Sequence, residues 1–159
     1  MARETGLEAW HRVVRNMSAE ALDEILAEDV VFHSPVVHTP QRGRDLTRLY
    51  LMAAFNVFPG DPGESDADGA GDAGERSRPS GSISSQGSFE YVREVAGPND
   101  AVLEFRTEID GIVVNGVDMI RWNDEGKIVD FKVMVRPLKA IQKVHAQMAR
   151  MLEVMKTPA

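Results

Sequence analysis

Residues 101–135 read AVLEFRTEIDGIVVNGVDMIRWNDEGKIVDFKVMV, and this stretch decides the class of fold. Three extended runs, 101–109, 112–123 and 127–135, are separated by Asp110-Gly111 and by Asp124-Glu125-Gly126, turn residues that favour tight antiparallel connections. A two-residue turn at Asp110-Gly111 pairs Ile109 with Ile112. Counting back sets Phe105 opposite Gly116 and Leu103 opposite Asp118. One face of the hairpin then holds Leu103, Phe105, Ile109, Val114, Ile120 and Trp122 around a single carboxyl, Asp118. Glu104, Arg106 and Glu108 fall on the other face with Val113, Asn115, Val117 and Met119. A bulge or a three-residue loop would exchange the two faces.

Outward from this stretch, SFEYVREVAG (88–97) adds a fourth extended run, and the four describe an antiparallel meander. Pro137 opens a last helix on which Leu138, Ile141, Val144, His145, Met148, Met151, Leu152 and Met155 keep helical spacing. Towards the N-terminus, Leu7, Trp10, Val13, Val14 and Met17 form the apolar stripe of a first helix. Ser18 caps a short second helix through Leu22, Ile25 and Leu26, with Glu20 and Glu24 following it. Val30 to Ser34 is a strand stopped by Pro35. Asp45 to Val57 is a third helix, whose many apolar positions predict the most buried of the helices. The order ααβα, gap, ββββα predicts an α+β domain in which helices collect on one face of a curved antiparallel sheet and enclose a pocket.

The gap is Pro59 to Ser88, where 17 of 30 residues are Gly, Ser or Pro and Ile83 is the one large apolar side chain. Such a segment buries too little to offset its ordering entropy, so it reads as a disordered insertion within a single domain, 1–159. It carries net −4 of the chain's −7, which leaves −3 on the other 129 residues. The folded part is mildly acidic and has no basic field to attract nucleic acid. No run is long and apolar enough to cross a bilayer, and MARETGLEAW lacks the features of a signal peptide, so a cytoplasmic protein is expected. The absence of Cys removes disulfides, thiol nucleophiles and thiolate metal sites. No Gly-rich phosphate loop occurs, and the histidines lack metal-ligand spacing beyond His33 and His38, so neither a cofactor nor a metal is expected.

LDEILAEDVVFHSPVVHTPQRGRD (22–45) and GVDMIRWNDEGKIVDFKVMVRP (116–137) together resemble the SnoaL-like branch of the nuclear transport factor 2-like superfamily, which includes ketosteroid isomerases, limonene epoxide hydrolases and polyketide cyclases. The resemblance implies a cone-shaped fold with a deep apolar pocket for a hydrophobic small molecule, and a homodimer. It implies isomerase- or cyclase-type acid–base chemistry on a cyclic substrate, with a non-catalytic ligand-binding or dimeric scaffold role, or epoxide-hydrolase-like chemistry, as the alternatives. In ketosteroid isomerases a first-helix tyrosine and a protonated strand aspartate form an oxyanion hole, and a second aspartate before a proline moves the proton. Here those places hold Trp10, Asp118 and Ser34. Limonene epoxide hydrolases place an arginine between two strand carboxylates; Arg106-Thr107-Glu108 matches one part of this, and Val133 stands at the other acid.

The candidate catalytic residues are therefore Asp118, with its carboxyl raised by desolvation, and His38 or His33 as a base. A buried Asp118 paired for structural reasons is the alternative, and surface or structural roles are the alternatives for both histidines. Trp10, Phe32, Ser34, Tyr50, Phe105, Ile120, Trp122 and Val133 are the candidate ligand contacts. Met148, Met151 and Met155 read as core or subunit packing, with closure of a pocket as the alternative, and His11 and His145 as ordinary surface or packed helix residues.

Overall fold

A computed structural model describes residues 4–58 and 89–156. The expected disordered insertion at 59–88 lies outside them. The helices and strands follow the order α1 Gly6–Asn16, α2 Ala19–Ile25, β1 Leu26–His33, β2 Gln41–Arg42, α3 Arg44–Val57, β3 Glu90–Ala96, β4 Asp100–Ile109, β5 Ile112–Trp122, β6 Ile128–Arg136 and α4 Leu138–Lys156. This is an α+β fold with an open, curved sheet.

Local chemistry explains the element boundaries. Thr5 and Glu8 form a reciprocal capping box at the start of α1, with Thr5 N–H donating to Glu8 Oε2 at 2.7 Å and Glu8 N–H to Thr5 Oγ1 at 3.1 Å. Ser18 Oγ accepts from Ala21 N–H at 3.0 Å and caps α2 as expected. Asp110 and Gly111 both take positive φ, 49° and 80°, which a two-residue hairpin turn needs. The register of that hairpin is the predicted one: Ile109 faces Ile112, Phe105 faces Gly116 and Leu103 faces Asp118. Leu103, Phe105, Ile109, Val114, Asp118, Ile120 and Trp122 are accordingly buried, while Arg106, Val113 and Met119 are exposed on the far side.

The sheet order is β2-β1-β6-β5-β4-β3. It departs from the expected all-antiparallel sheet at one place, because β1 runs parallel to β6, with Phe32 beside Phe131 and His33 beside Lys132. No turn joins these strands; β1 arrives through α1 and α2 and leaves through β2 into α3, so connection geometry leaves its direction open. β1 also begins at Leu26, four residues earlier than expected, and a register shift between Leu26 and Val31 accommodates Glu28 and Asp29 at the surface. Among the described residues the helix α3 has more buried positions than any other helix, as expected. Thr47, Leu51, Ala53 and Val57 are buried, but most of its other residues are only half-buried, since part of its surface fronts a cavity instead of packed side chains.

Two apolar clusters hold the fold together. The larger joins Trp10, Val13, Leu22 and Leu26 to Val30, Leu103, Ile120 and Phe131. The smaller joins Phe105, Ile109 and Val114 to Ala140 and Val144 of α4. Lys143 Nζ lies 2.7 Å from Asp110 Oδ2 and ties α4 to the tip of the β4–β5 hairpin.

Candidate functional site

Between the helices and the concave face of the sheet lies a cavity of about 190 Å³. Its polar centre is a chain of three side chains. Trp10 Nε1–H donates to Tyr91 Oη at 3.0 Å, and Tyr91 Oη–H donates to Asp118 Oδ2 at 2.6 Å. Each partner is delivered by a different element. The capped helix α1 turns Trp10 inward until it is 2% exposed, with its ring edge against Phe131 at 4.9 Å. Tyr91 lies on β3 opposite Phe105 of β4, which lies opposite Gly116 of β5, while Asp118 stands one inward-facing position further along β5. Tyr91 and Asp118 are thus two strands apart, about 10 Å in backbone terms, a span that a tyrosine side chain helps to bridge.

The surroundings set the charge. Burial among apolar side chains pushes the Asp118 carboxyl up to about 7, and the hydrogen bond from Tyr91 offsets part of that rise. Burial, and then the neighbouring Asp118 charge, raise the Tyr91 phenol well above its ordinary value, which keeps it a donor. Asp118 therefore exists in both protonation states around neutral pH. Tyr91 occupies Oδ2, so the other carboxyl oxygen remains for a ligand, as a hydrogen-bond donor when protonated and an acceptor when charged.

Of the residues singled out from sequence, Trp10, Phe32, Ser34, Tyr50, Phe105, Asp118 and Val133 come together in the cavity wall. Ser34 Oγ accepts from Val36 N–H at 3.1 Å and Val37 N–H at 3.3 Å, which turns the chain after Pro35 and leaves the hydroxyl proton to donate. Ile120 and Trp122 share the sheet face of Asp118 but are built into the packed core outside the wall. Neither candidate histidine reaches the cavity. His33 Nε2 lies 3.1 Å from Asp130 Oδ2 of the neighbouring strand, because alternation along β1 turns it away from Phe32. His38 is exposed in the loop before β2. Arg106 and Glu108 lie on the outer side of β4, away from Asp118.

Among the wall residues not anticipated are two polar ones, Tyr91 and His145. Tyr91 is the more important: Phe89 and Tyr91 alternate along β3, a signal that the two aromatic rings share one face, but no tight turn fixed which face that is. A register shift between Tyr91 and Arg93 further obscures the count. His145 lines the cavity beside Val144 and Met148, at an exposed position on α4 that helical spacing alone does not separate from surface.

No protein-family model and no curated protein matches the chain. Solved structures do. A steroid delta-isomerase from Pseudomonas aeruginosa is 28% identical, with a TM-score of 0.73 over 94% of this chain and 90% of that one. An NTF2-like protein of unknown function from Mesorhizobium loti is 20% identical, with a TM-score of 0.58 over 86% and 97%. The epoxide hydrolase/cyclase-like enzyme SalBIII, of pyran ring formation in the polyether salinomycin, is 17% identical, with a TM-score of 0.55 over 84% and 89%. Helix order, open curved sheet and these likenesses agree: the chain has the fold of the nuclear transport factor 2-like superfamily.

Proposed function

We propose that the protein is a SnoaL-like acid–base enzyme that binds an apolar cyclic molecule and directs an oxygen of that molecule at Asp118. The observation that carries this reading is the hydrogen-bonded chain from Trp10 through Tyr91 to a carboxyl titrating at about 7 inside an apolar cavity. A group poised at the working pH can both hold and release a proton, which is what isomerase- or cyclase-type chemistry asks of it. In its neutral form Asp118 donates to a carbonyl or ether oxygen. As negative charge builds on that oxygen, the donor strengthens its hold, with Tyr91 fixing the carboxyl in place. The likenesses to a steroid delta-isomerase and to SalBIII are consistent with this class of reaction.

A second reading, binding without chemistry, is favoured by one fact: Ser34 and Val133 stand where the two enzyme templates carry a second carboxylate. Hydrogen exchange separates the two. A bicyclic enone incubated with the protein in D2O should take up deuterium next to its carbonyl faster than in buffer, and Asp118→Asn should abolish the excess while still binding. Tight binding with no excess exchange in the wild type would establish the non-catalytic reading.

The partner surface is a further part of the proposal. Val95, Val102 and Met119 are neighbours in register across β3, β4 and β5, and all three are exposed, at 61%, 37% and 36%. This apolar row on the convex side of the sheet is suited to a second copy of the chain in a homodimer. A cytoplasmic setting belongs to the same reading and rests on the acidic, Cys-free sequence.

A further inference from the structure

Asp118 can hold an oxygen of the ligand, but a carbonyl compound enolises only when a second group removes a proton from carbon. Ser34 and Val133 supply no such group, and His33 and His38 lie outside the cavity wall. Besides Asp118, the described wall contains one side chain of a type that exchanges protons near neutral pH, His145.

The helix α4 brings it to the site. Asp118 pairs in register with Val133 of β6, and Val133 and Tyr91 pack against the cluster that contains Val144. His145 follows Val144 in the chain and faces the same cavity from the helix side, with Met148. His145 and Val37 line the wall and are nevertheless exposed, so they mark where the cavity opens to solvent, while Asp118 is buried within. A space of about 190 Å³ suits a small ring system, since about 150 Å³ already accepts benzene. A ligand that fills it meets both walls.

The surroundings leave the imidazole free. His11 and His33 are engaged by carboxylates, Glu94 at 2.6 Å and Asp130 at 3.1 Å. His145 has no hydrogen bond or ion pair with any described residue. Its neighbours one turn away on α4, Ile141, Gln142, Met148 and Ala149, are uncharged, and Lys143 is held by Asp110. Across the cavity, the other elements present Asp118 and the phenols of Tyr50 and Tyr91 as their titratable groups.

We propose, on the acid–base reading above, that His145 is the proton acceptor of the site, working at the mouth while Asp118 holds the ligand's oxygen within. A neutral ring nitrogen of His145 takes a proton from the carbon next to the carbonyl. The C–H electron pair becomes the new C=C bond, and the carbonyl π pair moves to the oxygen, which the Asp118 proton holds. The imidazolium then returns a proton to carbon, so nothing is consumed. Because the ring stands at the mouth, its proton exchanges with solvent between the two steps, and deuterium from D2O enters the ligand.

The test follows deuterium uptake by octalone, a bicyclic enone, with the intact protein in D2O. His145→Gln keeps a polar, helix-compatible side chain at an exposed position but cannot accept the proton. Its uptake should fall about a hundredfold or more, with the octalone Kd within about twofold of the wild type. His145→Ala should show the same loss, and free imidazole should restore uptake in proportion to its neutral form, because the vacated place is open to solvent. Uptake in His145→Gln within about twofold of the wild type, a loss that only follows weaker binding, or a loss that imidazole fails to rescue overturns the role of His145. Uptake abolished by Asp118→Asn yet intact in His145→Gln overturns that role alone and leaves the acid–base reading standing. A wild type that binds octalone without excess uptake overturns the reading itself, and the role of His145 with it.

Discussion

Asp118 couples the site to the stability of the whole chain, and the sign of that coupling follows from its raised titration. An aspartate ordinarily titrating at 3.8 loses its proton in the unfolded chain before the folded protein releases it at about 7. Below the lower value both states are neutral and nothing is lost. Between the two, stability falls as pH rises, and above 7 the loss is constant, on the order of 4 kcal/mol for a shift of this size. Asp118→Asn cannot ionise and keeps an acceptor for Tyr91. Its melting temperature should exceed that of the wild type at pH 8, with the advantage shrinking towards pH 4; an advantage independent of pH would refute the burial of a titrating group. Tyr91→Phe should act in the opposite sense on Asp118. Removing the donor pushes the carboxyl still higher, visible in a carbon-detected NMR titration, and leaves Trp10 Nε1 without its acceptor at a cost of about 1–3 kcal/mol. Asp118 was legible in the sequence because a turn two residues long fixes its register. Tyr91 was not, because its strand joins through a longer connection and a bulge, so the three-residue chain was readable at its two ends, Trp10 and Asp118, and not at its middle.

Among the elements, β5 carries a residue whose lack of a side chain shapes the site. A Cβ on Gly116 would sit 2.5 Å from Met134 O and 2.5 Å from the Cζ of Phe105. The absence of a side chain there lets the Phe105 ring lie flat across the strand and into the cavity wall. Gly116→Ala must shift either the β6 backbone or that ring, and should destabilise the protein by about 1–3 kcal/mol, read as a lower urea midpoint with an unchanged slope. Elements whose periodicity is local were read correctly from sequence: the α1 stripe, the Ser18 cap, the β4–β5 hairpin and α4. The parallel seam between β1 and β6 and the two-residue strand β2 were not, because their pairing depends on chain segments about 100 and 10 residues away with no short turn to impose it.

For the molecule as a whole, the convex side of the sheet and the cavity make separate demands on the sequence. Charge placed in the exposed row, as in Val102→Lys with Met119→Lys, should convert a homodimer to monomers in sedimentation equilibrium while leaving the rate of deuterium uptake by the bicyclic enone within about twofold, since neither residue touches the cavity. A wild type that sediments as a monomer would refute the assignment of that face. The concave side has a different consequence. With nearly all the light-absorbing side chains crowded around one hollow, anything that enters it must perturb their near-ultraviolet dichroism and emission together, while the lone indole kept apart at position 122 reports only on the scaffold. The protein thereby carries its own optical gauge of occupancy, with an internal reference, and an unknown guest can be sought without a label.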